Sequence, residues 1–175
     1  MLYEEEIIKK MIEYFADDQE RINHALKVTN YANQLIELYQ KNNPAEEINP
    51  EVIIYSAILH DIGIKKSEEK YNSAAPKYQE IEGPPVARKI LSSFPIDESI
   101  INEICDIIGN HHSPGNINSY NFKLLYDADW LVNLPNAHDL SKNSKEEIKE
   151  TIDKLYLSQS GKEKAKEIFI KKGSY

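Results

Sequence analysis

With 175 residues, 41% of them hydrophobic and 29% charged, the chain has enough apolar surface to enclose a core, which excludes wholesale disorder and predicts one globular domain over residues 1–175. Its formal net charge of -8 excludes a broad, sequence-independent nucleic-acid surface, which needs clustered Lys and Arg, but leaves room for a single nucleotide. A lone cysteine, no basic-flanked apolar leader, and no apolar run near the roughly 20 residues that cross a bilayer together point to a reducing, cytoplasmic setting without membrane insertion.

The elements read as a string of helices with no competing strand. The first, near residues 3–15, is amphipathic, and its acidic start from Tyr3 to Ile8 is a solvated face. Asp17 or Asp18 can cap a long second helix over about 19–40, where His24, Val28, Tyr31, Leu35 and Leu38 recur at three- and four-residue steps and turn His24 toward the core. Asn49 and Pro50 are a cap and a first-turn proline for a third helix, apolar nearly all round from Val52 to Leu59 and therefore central. His60 and Asp61 close it, with Gly63 as a left-handed stop. The stretch 65–79 is polar and aperiodic and reads as a surface excursion. A helix resumes near Gly83, whose first turn tolerates Pro84 and Pro85, and runs to Ser93.

Asp97 is expected to cap the next helix, on which Ile101, Ile104, Ile108 and His111 share a face with His112 beside them; Cys105 on the same helix is a small core hydrophobe. Residues 113–119 are a loop, and 120–134 are helical with Phe122, Leu125, Asp129 and Val132 on one side. Asp127, two residues from Asp129, points elsewhere to cap, pair or sit in solvent, and Trp130 packs in the core. The pair His138 and Asp139 follows Pro135 and Asn136 in a polar loop and is a decoy. Ser144 with Glu147 and Ser160 with Glu163 have the spacing of capping boxes opening two late helices within about 144–171, behind a motif-bearing core of about 20–135.

Ionisable groups on the apolar faces of separate helices are costly to bury unless paired, hydrogen-bonded or metal-bound. Imidazole and carboxylate together suit divalent ions such as iron, manganese, zinc, nickel or magnesium. His60 and Asp61, adjacent at a helix end and about 100° apart around its axis, can both reach one ion beyond the terminus.

The run Ala57-Ile58-Leu59-His60-Asp61-Ile62-Gly63 resembles the signature of the HD superfamily of metal-dependent phosphohydrolases. The phrase around His24, from Arg21 to Val28, is similar to that family's first histidine motif, and Leu125 to Leu131 to its closing aspartate, so the resemblance spans residues 21–134 in the expected order. It implies an all-α, compact helical bundle of the HD type and a metal held by His24, His60, Asp61 and Asp129, with one ion, or two in binuclear members. It implies hydrolysis of a phosphomonoester or phosphodiester of a small molecule, a nucleotide above all, by metal-activated water, an activity of the EC 3.1 class. Asp61 would also orient water; His111 and His112 resemble the paired histidines of a second metal site and would line the phosphate pocket. Binuclear members carry a histidine where this chain has Gln79, and Glu80 or Glu82 could serve instead as an oxygen ligand or acid-base group. The lysine that often follows the motif's glycine is displaced here to Lys65 and Lys66, either of which is a candidate for substrate phosphate. A di-iron oxygenase of the same superfamily and a non-catalytic nucleotide-binding module are the rival readings; a homodimer is left open.

Overall fold

The computed structural model describes residues 2–43, 47–137 and 140–171. Among them run α1 (Glu4–Phe15), α2 (Gln19–Asn42), α3 (Pro50–Leu59), α4 (Ile64–Tyr71), α5 (Pro76–Leu91), α6 (Glu98–Ile108), α7 (Tyr120–Ala137), α8 (Lys145–Leu155) and α9 (Gln159–Lys166). A tight turn at Leu140–Lys142 precedes α8, and a wider π-type turn at Glu167–Lys171 continues α9. No strand occurs among the described residues, so the fold is all-α.

The helix α3 is the axis of the assembly. The Asn49 side chain accepts from the backbone N–H groups of Glu51 and Val52, and Pro50 occupies the first turn, where its missing donor costs nothing. Every residue from Val52 to Leu59 is buried, because a helix apolar on all sides must be surrounded. Helices α1, α2, α6 and α7 supply the surround. Helix α2 starts at Asp18, whose carboxylate accepts from the Arg21 N–H at 3.1 Å. It lays Ile22, Ala25, Val28, Ala32 and Leu35 against α3 and α7 and extends two residues past the expected end.

Two expectations are corrected between residues 64 and 91. The stretch expected as a surface excursion is helical: α4 is built from the strong helix formers Lys65, Lys66, Glu68, Glu69 and Lys70, buries only Ile64 and Ser67, and stops at Asn72 in the left-handed conformation at φ 49°. So little of it is covered that no apolar period shows in the sequence. Helix α5 does not begin near Gly83 but at Pro76, and Pro84 and Pro85 sit in its interior. They remove the donors that would bond the Glu80 and Ile81 carbonyls. Packing against α4 on one side and α6 on the other holds the helix across that gap.

That packing depends on two glycines. A Cβ at Gly63 would lie 2.6 Å from the Gly83 nitrogen and 2.9 Å from its Cα, inside the van der Waals limit and against backbone that cannot swing away. Gly63 thus serves close approach and not the left-handed stop expected of it, since its φ is -75°.

The caps differ in detail from the sequence reading. Ser144 and Glu147 form the expected capping box on α8. Ser160 and Glu163 do not: α9 is capped by Ser158, whose hydroxyl accepts from the Gly161 N–H at 2.9 Å, and Ser160 lies buried inside the helix. Asp97 holds the N-cap position of α6 without a side-chain cap bond. Asp127 is wholly buried; its carboxylate accepts from the Leu157 and Ser158 N–H groups, both at 2.8 Å, and from the Ser158 hydroxyl at 2.6 Å. Burial pushes Asp127 up to about 6 against the pull of those bonds. It ties α7 to the α8–α9 junction. Cys105 is a core residue and Trp130 packs, partly buried, against the core. His138 and Asp139 lie outside the described residues.

Substituting Gly63→Ala is expected to cost about 1–3 kcal/mol, as for overpacking of a close-fitting interior, read as a lowered midpoint in urea unfolding. Asp127→Ala leaves the buried Ser158 N–H and hydroxyl and the part-buried Leu157 N–H without their acceptor and should cost about 2–4 kcal/mol, below the sum at roughly 1–3 kcal/mol for each donor stranded because Leu157 is exposed and can turn to water; the same urea titration measures it.

Candidate metal centre

Three helices bring the four expected groups to one point. His24 comes from the second turn of α2, His60 and Asp61 from the end of α3, and Asp129 from the middle of α7. The His24 and His60 Nε2 atoms are 3.1 Å apart. Asp129 Oδ1 lies 3.0 Å from His24 Nε2 and 3.6 Å from His60 Nε2, while Asp61 Oδ2 lies 3.5 Å and 3.3 Å from the same two nitrogens.

The chemistry of these donors fits a cation. His60 Nδ1 is 2.8 Å from the Ala57 carbonyl oxygen, which can only accept, so Nδ1 carries the proton and a neutral ring presents its lone pair at Nε2. His111 repeats the device through the Ile108 carbonyl at 2.7 Å. Its Nε2 is buried without a hydrogen-bond partner, 3.5 Å from Asp61 Oδ1. The Nε2 lone pairs of neutral His60 and His111 therefore face the carboxylates of Asp61 and Asp129, which is repulsive until positive charge enters, while His24 Nε2 lies within hydrogen-bond distance of Asp129 Oδ1. Ligands about 2.1 Å from one ion stand about 3.0 Å apart when octahedral and about 3.4 Å when tetrahedral. The observed spacings fall on those values.

Without an ion, a proton takes that role. Burial alone would favour a neutral His60, but the Asp61 carboxylate, followed by Asp129, outweighs it and raises His60 to about 9. Burial opposes the charge on Asp61 as well, yet the His60 imidazolium holds its carboxyl well below the usual range. Asp129 is lowered despite burial, through its bond to His24 and the charge on His60. Asn133, one turn further along α7, donates to Asp129 Oδ1 at 2.8 Å and fixes its orientation.

Around this floor opens a polar cleft of about 560 Å³. His112 reaches its wall, tilted 42° against His111 with 3.9 Å between ring centres; lost solvation, followed by the neighbouring imidazole of His111, pushes it down to about 4. The Gln79 amide donates to the Ala74 carbonyl at 2.6 Å, which turns its Oε1 to His112 Nε2 at 3.2 Å. Asp61, His111 and His112 form a second cluster with ligand atoms within 4.8 Å of one another.

The remaining expected site residues stand elsewhere. Glu80 accepts from the His112 N–H and the Ser113 hydroxyl, both at 3.0 Å, and so pins the loop that carries His112 without lining the cleft. Glu82 is bound to Lys70 and Tyr71 at 2.8 Å and borders a separate groove between α1 and α5, where Lys66 also lies, paired with Glu69. Lys65 donates to the Tyr14 carbonyl at 3.0 Å. The cations that do line the cleft are Arg21 and Lys27, three residues before and after His24 on α2. Their spacing was the available signal, since residues three apart share a helix face.

Fold and site together define an all-α protein with a His/Asp centre of the metal-binding kind. A sequence profile of the HD domain matches residues 21–134, and the chain belongs to the HD domain family. It is similar to the crystal structure of a predicted HD superfamily hydrolase from an uncultured Thermotogales bacterium, with a TM-score of 0.64 and 22% identity over 93% of this chain and 83% of that one. At that identity the likeness concerns the fold. None of the curated proteins matches the chain in sequence. No described helix is long and apolar enough to cross a membrane.

Protonated His60 stabilises the metal-free fold below the ordinary imidazole value near 6.5, and that contribution is lost as pH rises through about 9. Urea unfolding of chelator-treated protein from pH 6 to 10 should show this decline. Because the ligands must shed the proton to bind, Mn²⁺ titration at pH 7 in two buffers of different ionisation enthalpy should report release of about one proton per ion.

Proposed function

We propose that the protein is a metal-dependent phosphohydrolase of the EC 3.1 class that cleaves the phosphate ester of a small molecule, a nucleotide above all. The observation that carries this reading is the convergence of His24 Nε2, His60 Nε2, Asp61 and Asp129 at the floor of one open polar cleft. These four residues would hold the ion, manganese, iron, nickel, magnesium or zinc. Such an ion lowers the pKa of a coordinated water toward neutrality and screens phosphate oxygens, so that water can attack phosphorus at pH 7.

The chain's own residues supply the rest. Ala57 fixes the His60 ring through its carbonyl, and Asn133 fixes Asp129, so the centre is organised before substrate arrives. Asp61 has one oxygen toward His24 and His60 and the other toward His111, which supports a role in orienting a water. His112, on the cleft wall and depressed to about 4, is neutral at pH 7; with its Nε2 proton given to Gln79 Oε1, its Nδ1 is suited to accept a hydrogen bond from a water or a protonated phosphate oxygen. One ion is the count that the donors favour: where a second would need another imidazole, Gln79 offers an amide, and its Oε1 is already engaged by His112. That also counts against the two-iron oxygenase reading.

Phosphate release from nucleotides and simple esters with added Mn²⁺, Ni²⁺ or Mg²⁺ tests the proposal. Chelation should abolish release and readdition of metal restore it. Asp61→Ala should lower kcat by about 10³-fold or more, since it removes a ligand and a water-orienting group together. Redox-active iron at two per chain with no phosphate release would replace the hydrolase with an oxygenase, and tight nucleotide binding without turnover would replace it with a binding module.

A further inference from the structure

The charges lining the cleft are sorted along α2. Asp18 and Glu20 stand at its N-terminal end, His24 in the middle and Lys27 beyond. Positions 20 and 27 are about 10 Å apart along a helix rising ~1.5 Å per residue, so these two charges do not neutralise each other. Arg21 is already satisfied: its guanidinium pairs with Asp18 at 3.0 Å and with Glu68 at 2.7 Å. Lys27 is exposed, and among the described residues no carboxylate pairs with it.

A cation without a carboxylate partner is conspicuous at the polar cleft that holds the His/Asp centre, in a chain with net charge -8. Its importance grows once charges are summed. A divalent ion with the Asp61 and Asp129 carboxylates and two neutral imidazoles is formally neutral, so the net attraction for an anion falls to Lys27. Beyond Lys27 the adjoining hollow is lined, among the described residues, by Asn30, Tyr31, Leu131 and Val132, none of them a cation that could hold a longer polyanion. In the other direction a polyanion meets Glu20 and Asp18, a little beyond the Debye length of about 8 Å at physiological salt but along the wall of a cleft, where screening is weaker than in open solvent.

Granted the phosphohydrolase reading above, the geometry points to a phosphomonoester as substrate: Lys27 holds its phosphate, and the leaving group lies toward Asp18 and Glu20. Those carboxylates accept from hydroxyl or amine donors and repel a second phosphate. The substrate class is therefore the monophosphate of a polar alcohol, a nucleoside included, and not a diphosphate or triphosphate. Lys27 is a substrate-binding residue, and Glu20 determines specificity by exclusion.

The test uses the full chain loaded with Mn²⁺. Orthophosphate binding by isothermal titration calorimetry should weaken about tenfold in Lys27→Gln and recover in Lys27→Arg, the scale of one lost charge-assisted contact. Adenosine 5′-monophosphate should be hydrolysed with kcat/KM about tenfold or more above the diphosphate and triphosphate, and Glu20→Lys should narrow that gap by removing the repulsion. Orthophosphate affinity unmoved in Lys27→Gln, or preference for the triphosphate, overturns the assignment. If no ester releases phosphate while orthophosphate binding still depends on Lys27, the anion site stands and the hydrolase reading falls.

Discussion

Two backbone carbonyls decide the chemistry of this protein. Ala57 and Ile108 each accept from the Nδ1 of the histidine three residues on, so that His60 and His111, when neutral, present Nε2 lone pairs to the interior. Opposite them stand Asp61 and Asp129, which bear only acceptors when ionised. Such a concentration of electron pairs is stable only around positive charge, whether proton or metal. Helices α2, α3 and α7, which touch chiefly through aliphatic side chains, are held in register by the core while this polar knot remains unresolved at its edge. The hydrophobic contacts supply the stability; the knot supplies the demand for positive charge.

The parts legible in the sequence were those with strong local physics. The all-round apolar run Val52–Leu59 could only be a buried helix, and its capping residues Asn49 and Pro50 are where they should be. The convergence of His24, His60, Asp61 and Asp129 was legible because charged groups on apolar stripes have few alternatives to one another's company. What was illegible had weak or misleading local signals. Helix α4 buries too little to display a period, and the double proline in α5 imitates a helix start because proline is usually tolerated only there. Neither residue type nor spacing could reveal that α6 and α4 would flank those prolines.

The same limit explains the lysines. Lys65 and Lys66 were attractive because they follow the His60–Asp61 motif closely, but the turn at residues 60–63 carries α4 away from the cleft, and both ammonium groups find partners on the far side. Arg21 and Lys27 are more distant from that motif in sequence, yet share a helix face with His24. Proximity along the chain is a poor guide to a site assembled from helix ends; shared helical phase is a better one.

The bond network of Asp127 has a broader meaning. The HD profile ends at residue 134, whereas the groups that seat this carboxylate, Leu157 and Ser158, belong to the chain beyond it. Asp127 is half a helical turn from Asp129, so the C-terminal helices act as a splint on the very rod that carries the last metal-type donor. The boundary of the family's shared pattern is thus not a mechanical boundary, and a fragment cut there would keep every motif while losing the brace that aims one of them.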